Sequence, residues 1–449
     1  MTSAPARNQK LPSRLAAFGL IGGLALVAAG CATAASPSGW AGAQPVSVER
    51  QKLVLTAHKS RLYAMPEGRS AALWRFPAQD HDTYPLSELG REFLSAQLAQ
   101  LDLPNDEEQT VQDRIDDLTV DGSTIDALEE AVDATSAEDG ARSDFKSAVD
   151  SATRFERDAL DDIEALYGTI GVSEDGETAF VPAFGGAVFA LDTRTGYTRW
   201  IVVPDEALVG GVAVDGDTIY VGSKGKRLYA LDAATGERRW DFETDGEVWA
   251  TPTLDDETIY VTSFEGSVYA LDRSGNQKWA FHGADAGIAS RPAVAEGSVY
   301  VGAFDSRLYA LSAADGALQW SFKGDNWFWA TPVVEGGVLY AASLDSKVYA
   351  VDARTGERRW DKPFDTGAPI RSSPIIAGDG LVVAGRNGEV FKLDLATGAA
   401  QSGPIEAGTK VYADLTTDGA SVFVKPTSAT LYVMDAAGGL ASQSFPLPD

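Results

Sequence analysis

Residues 229–240 read Tyr229-Ala230-Leu231-Asp232-Ala233-Ala234-Thr235-Gly236-Glu237-Arg238-Arg239-Trp240. The aromatic-Ala-Leu-Asp run is apolar and strand-forming. Asp-x-x-Thr-Gly is a turn in which Asp hydrogen-bonds its own backbone and Gly tolerates a positive φ, and the run ending in Trp is a second strand. The block recurs with its aromatic at Phe189, Tyr229, Tyr269, Tyr309 and Tyr349, each 40 residues after the last, and again at Phe391 and Tyr432. An eighth copy lies upstream at Tyr63, 126 residues before Phe189, which is one period plus 86 extra residues. Seventeen residues before the aromatic stand Pro252, Pro292, Pro332 and Pro374, and Pro45 stands eighteen before Tyr63.

Within one repeat, four short strands are expected at 250–254, 258–262, 267–271 and 277–281, separated by Asp, Glu, Gly and Asn. Units of this size cannot bury both faces alone, so they stack radially as blades. The reading is an all-β, eight-bladed β-propeller of four-stranded antiparallel blades, with seven as the alternative count. Trp74, Trp200, Trp240, Trp320 and Trp360 stand eleven residues after the aromatic and Trp279 ten after it, and they are expected to dock between neighbouring blades. Ser402 and Gln443 replace this Trp in the last two repeats, so the seam joining last blade to first is expected to pack differently.

The 86 extra residues are of another kind. From 79 to 165 the apolar residues recur at helical spacing, as in Val111, Ile115, Leu118 and Ile125, Leu128, Val132, so three or four amphipathic helices are expected. Asn105, Ser123 and Ser143 are the expected N-caps, and Leu86, Leu89 and Phe93 open the apolar stripe. This stretch holds 25 acidic and 6 basic residues, which is −19 of the chain's net −28.

That charge gives phosphate backbones no electrostatic footprint, so nucleic acid is not an expected partner. A single cysteine and three scattered histidines offer no zinc spacing and no intrachain disulfide. Arg7, Lys10 and Arg14 precede an apolar run over 15–29, short for a bilayer span and of signal-peptide length. It closes on Val27-Ala28-Ala29-Gly30-Cys31, which resembles a bacterial lipobox cut before Cys31, the expected site of lipidation. Ala32-Thr33-Ala34 leaves an ordinary signal-peptidase site as the alternative. The expected organisation is a lipoprotein signal peptide over 1–30, a flexible tether over 31–44, blade 1 over 45–78, an acidic helical insertion over 79–165, and blades 2–8 over 166–449.

The block at 229–240 resembles the tryptophan-docking repeat of pyrroloquinoline-quinone (PQQ) propellers, and the resemblance spans roughly residues 45–78 and 166–448. A lipobox followed by eight such repeats is similar to the BamB family of outer-membrane assembly lipoproteins, from which the helical insertion departs. This resemblance implies a non-catalytic, lipid-anchored scaffold that assists assembly of envelope or outer-membrane proteins. It implies a protein partner in the cell envelope, attachment to the membrane through the N-terminal lipid, and a monomeric propeller within a complex. The location implied is the periplasmic face of the outer membrane, or the outer face of the cytoplasmic membrane where no outer membrane exists. A PQQ-dependent quinoprotein-type dehydrogenase, or a cell-surface sensor or glycan-binding propeller, is the alternative. Quinoprotein dehydrogenases hold PQQ over Ca²⁺ beside a vicinal disulfide, which one cysteine cannot form, and the loops here are minimal. No catalytic residue, metal or cofactor is expected.

In such a propeller the links between blades and the loops between second and third strands share one face, the funnel face. Trp249, Arg291, Trp327, Trp329 and Arg371 fall in the former, and Phe264, Phe304 and Arg386 in the latter. They are the candidate partner-binding residues, since large aromatics and Arg at such junctions suit protein contacts. Alternation about Phe328 puts Trp327 and Trp329 on one side. The helices are expected beside or over the funnel mouth.

Overall fold

The structure, a computed structural model, describes residues 42–48, 51–67, 71–77, 84–204, 207–436 and 442–447. The signal-peptide segment, Cys31 and most of the 31–44 tether lie outside the described residues.

Eight four-stranded antiparallel sheets follow one another along the chain, each pairing its strands in sequence order. Blade 1 comprises Ala43–Val48, Gln51–His58, Arg61–Pro66 and Trp74–Phe76, and blade 4 comprises Thr253–Asp255, Thr258–Thr262, Val268–Leu271 and Gln277–Phe281. The first strand of blade 4 begins three residues later than the expected 250. Pro252 has no N–H to give a ladder, and Ala250 and Thr251 instead line the axis of the ring. Second and third strands such as Thr218–Gly222 and Arg227–Asp232 are sandwiched by neighbouring blades, which is why they read as nearly continuous apolar runs. The fourth strand, Arg238–Glu243 in blade 3, forms the outer edge and stays partly exposed.

The repeated turn works as its sequence dictates. Asp232 Oδ1 accepts from the backbone N–H groups of Ala234 and Thr235 at 2.9 and 3.0 Å, and Gly236 closes the turn at φ +74°. Against that glycine lies the preceding blade's indole, and a Cβ on Gly236 would fall 2.8 Å from the Trp200 ring. Trp200 Nε1 donates to Ala233 O at 3.0 Å, and Trp74, Trp240, Trp279, Trp320 and Trp360 make the same bond to Thr193, Arg273, Ala313, Ala353 and Leu395 at 2.8–3.0 Å. Six seams are thus closed by one device, an indole that covers a turn glycine and satisfies the carbonyl behind it.

The ring closes differently. Ala43, Val54, Tyr63 and Met65 of blade 1 pack against Phe423, Leu431 and Leu447 at the end of the chain, and Lys52 Nζ lies 3.4 Å from Asp418 Oδ2. Among the described residues, neither terminal blade lends a strand to the other.

The insertion forms four helices, α1 (Glu88–Leu98), α2 (Asn105–Asp116), α3 (Ser123–Asp133) and α4 (Asp139–Asp161). Ser87, not among the expected caps, accepts from Gly90 N at the head of α1. Asn105 and Ser123 are the first helical residues behind Pro104 and Gly122, and Ser143 lies inside α4. Leu89 and Phe93 are exposed while Leu94 and Leu98 are buried, because α1 rests against Thr198–Val202, the fourth strand of blade 2. Val111, Ile115, Leu128, Val132, Phe145 and Val149 join one core with Phe76 of blade 1 and Phe189 of blade 2. The insertion is therefore an extension of the seam between blades 1 and 2. No residue of α1–α4 is among those lining the axial cavity, so the helices do not plug the ring, while Phe184 N in the second-to-third-strand loop of blade 2 donates to Ala165 O just after α4 at 3.0 Å.

Glu156 of α4 is the pin of this extension. Its carboxylate, 4% exposed, accepts from Ser87 N at 2.9 Å and from Ser87 Oγ, and burial pushes its pKa up to about 7 against the pull of those bonds and of Arg91.

Candidate functional site

The funnel face is built by two kinds of loop that zip together. Phe264 N donates to Glu247 O, Phe304 N to Gly287 O, Leu344 N to Trp327 O and Arg386 N to Pro369 O, at 2.8–3.0 Å. Each bond fastens a second-to-third-strand loop to the link that enters the same blade. Within the loop, Asp305 Oδ1 accepts from Arg307 N at 2.9 Å and Oδ2 accepts from the Tyr309 hydroxyl, so the residue that shapes the turn is anchored by the repeat's own aromatic. Phe304 is held next to it.

On this frame the candidate residues meet. Trp249 stacks on Phe264 with ring centroids 4.6 Å apart, and its Nε1 donates to Glu247 Oε2 at 2.6 Å. Phe264 meets Phe304 edge-on at 5.4 Å. Trp327 and Trp329 both stack on Phe304, at 4.7 and 5.0 Å, with Phe328 between them fully buried on the other side, as alternation requires. Arg371 lies 4.0 Å above the Trp329 ring and 5.5 Å from that of Tyr412, and Arg386 lies 5.1 Å from Tyr412 and donates to its hydroxyl at 3.1 Å. Aromatic stacking and cation–π geometry thus run unbroken from blade 4 to blade 8. Both tryptophans are half-buried, and Trp329 is held between Phe304 and Arg371.

Arg291 stands apart from the strip, inside the ring. The axial cavity has a volume of about 370 Å³ and is lined from all eight blades. Arg291 keeps accessible surface because it faces this cavity, yet protein surrounds it, and burial lowers its pKa while the nearby Asp414 carboxylate raises it.

Sequence reading missed Tyr412 and Asp414, although the repeat marks both. Trp249, Ala289, Trp329, Arg371 and Tyr412 each stand twenty residues before the repeat aromatic, and Thr251, Arg291, Thr331, Ser373 and Asp414 eighteen before it. All ten line the cavity. Position in the repeat, rather than residue type, is the signal that identifies them. Among the described residues, no group of three or more His, Cys, Asp or Glu could hold a metal ion, and no helix is long and apolar enough to cross a membrane.

No curated protein matches the sequence. Among solved structures, BamB from Moraxella catarrhalis superposes with a TM-score of 0.51 at 22% identity, covering 62% of this chain and 83% of that one. The computationally designed Ika8 protein gives a TM-score of 0.42 at 13% identity, covering 63% and 96%. At such identity the Moraxella structure speaks for the fold alone. The family model described as outer membrane protein assembly factor BamB matches residues 185–291 and 265–443, more than half of the chain. The chain therefore belongs to the family of the outer membrane protein assembly factor BamB.

Proposed function

We propose that this propeller is a non-catalytic, lipid-anchored scaffold whose funnel face binds a protein partner during assembly of outer-membrane proteins. The observation that carries the reading is the continuous strip from Trp249 through Phe304, Trp327 and Trp329 to Arg371 and Tyr412. Protein interfaces concentrate their binding energy in Trp, Tyr and Arg that are pre-packed and half-exposed, and this strip has that composition and order. Membership in the BamB family supports the choice of partner class. Lipidation of Cys31 places the propeller at the membrane surface, tethered by the residues that follow.

The test is affinity purification of the protein from its own membranes, with mass spectrometry of what copurifies, beside the Trp327→Ser/Trp329→Ser variant. Deleting residues 80–165 is a poorer control, because the helices share a core with Phe76 and Phe189. Recovery of a barrel-assembly protein by the parent and its loss from the variant supports the reading. Recovery by both moves the contact off the strip, and recovery by neither refutes the scaffold role. Cys31→Ser is expected to shift the protein from the membrane to the soluble fraction.

A further inference from the structure

We propose that the axial cavity is a carboxylate-binding site, in which Arg291 receives the carboxylate of a small acid or of a peptide C-terminus entering from the funnel face. The proposal rests on the funnel face being the binding face, but not on the identity of the protein partner.

Four observations converge on it. The cavity, about 370 Å³, falls within the roughly 300–1,000 Å³ typical of small-ligand pockets. Where other blades place Trp249, Trp329, Arg371 and Tyr412, blade 5 has Ala289, so the space in front of Arg291 is left open. The arginine is aimed rather than loose. Thr253 Oγ1 donates to Pro292 O at 2.6 Å and accepts from Arg291 Nε at 3.0 Å, which fixes the plane of the fork. The two terminal nitrogens then have no hydrogen-bond or ion-pair partner among the described residues. An Arg fork held by its Nε presents the paired N–H groups that a carboxylate accepts.

Charge agrees with shape. Among the described residues, Arg291, Arg371 and Asp414 are the charged groups lining the cavity, so it carries one net positive charge in a chain of net −28. Asp414 is already engaged, accepting from Ser373 N at 2.7 Å, and it supplies field without forming an ion pair to Arg291. The Arg291 guanidinium opens onto the cavity without an ion-pair partner among the described residues, and the surrounding protein lowers its pKa while Asp414 raises it. A bound carboxylate supplies that partner.

The experiment titrates the purified full-length protein at low ionic strength with three probes by calorimetry: succinate, N-acetyl-trialanine with a free C-terminus, and its C-terminal amide. Binding of succinate or of the free-acid peptide, with no binding of the amide, is expected. Arg291→Gln should weaken that binding about tenfold or more, the effect of removing a charge-assisted, two-pronged partner of the carboxylate. Arg291→Lys, which keeps the charge but not the fork, should fall between. Succinate alone identifies a small acid as the source, and the peptide alone identifies a chain terminus. Binding that survives Arg291→Gln, equal binding of acid and amide, or no binding by a folded parent overturns the proposal. None of these outcomes bears on copurification of a barrel-assembly protein.

Discussion

Lys392 Nζ donates to the backbone carbonyl of Ala436 at 2.8 Å. That carbonyl occupies the same place in blade 8 as the carbonyls of Thr193, Ala233, Arg273, Ala313, Ala353 and Leu395, each of which receives a tryptophan indole from the preceding blade. In blade 7 the indole position is Ser402, directly opposite Lys392 in the ladder. Lys392 stands where six of the other repeats have Ala and the last has Val433, is 3% exposed, and also pairs with Asp379 at 2.8 Å. One long cation thus replaces one indole, filling the void and satisfying the same acceptor.

The exchange predicts coupling. Ser402→Trp alone should destabilise by about 1–3 kcal/mol, because the ring and the lysine stem compete for one volume. Lys392→Ala alone should also destabilise, leaving a cavity and the Ala436 carbonyl without its donor. The double variant should recover much of both losses. Urea denaturation of the three variants measures the cycle, and simple additivity would show that the two positions do not share the space.

The docking indoles themselves should be structural. Trp200 is 1% exposed and tilts against Phe180 at 5.9 Å. Trp200→Ala should cost about 3–5 kcal/mol. Trp200→Phe should cost less, losing chiefly the bond to Ala233. Midpoints in urea distinguish them.

Phe304 is the keystone of the funnel strip, because both Trp327 and Trp329 lean on it. Phe304→Ala should cost about 3 kcal/mol and alter the near-ultraviolet circular dichroism from these rings. Partner capture should fall in parallel. Unchanged dichroism would mean that the two indoles hold their places without it.

Glu156 should make the helical insertion sensitive to pH. Its pKa of about 7 in the folded protein lies above the ordinary value of 4.5, so the folded state holds this proton more tightly than the unfolded. The insertion is therefore most stable below about pH 4.5 with respect to this group. It loses stability as pH rises through 7, by up to about 3 kcal/mol. Protection factors of the α1 and α4 amides, corrected for the base catalysis of exchange itself, should fall between about pH 4.5 and 7 in the parent, and Glu156→Gln should abolish that fall.

The spacing of Tyr229, Tyr269, Tyr309 and Tyr349 was enough to read the blades, and Asp232 with Gly236 enough to read their turn. These features are local, since a strand alternates and a turn closes within a few residues of its own sequence. The helices were legible for the same reason, but the buried face of α1 was not. Leu89 and Phe93 match the helical period as well as Leu94 and Leu98, and only contact with blade 2 decides between them.

The sequence by itself determined the four-stranded repeat, its turn, the six indole docks and the two repeats that lack the indole, because every one of these follows from a period and a departure from it, and the eight sheets of the structure decided between the counts of eight and seven blades. Only the tertiary structure decided that Tyr412 closes the strip begun by Trp249, that Ala289 opens the space before Arg291, that Lys392 takes over from a missing indole, and that the helical insertion packs into the seam between blades 1 and 2 with α1 against the outer strand of blade 2. The first two depend on the ring, which brings side chains from many blades around one axis, and the last two on packing between neighbouring blades, and no pattern within a single repeat encodes either.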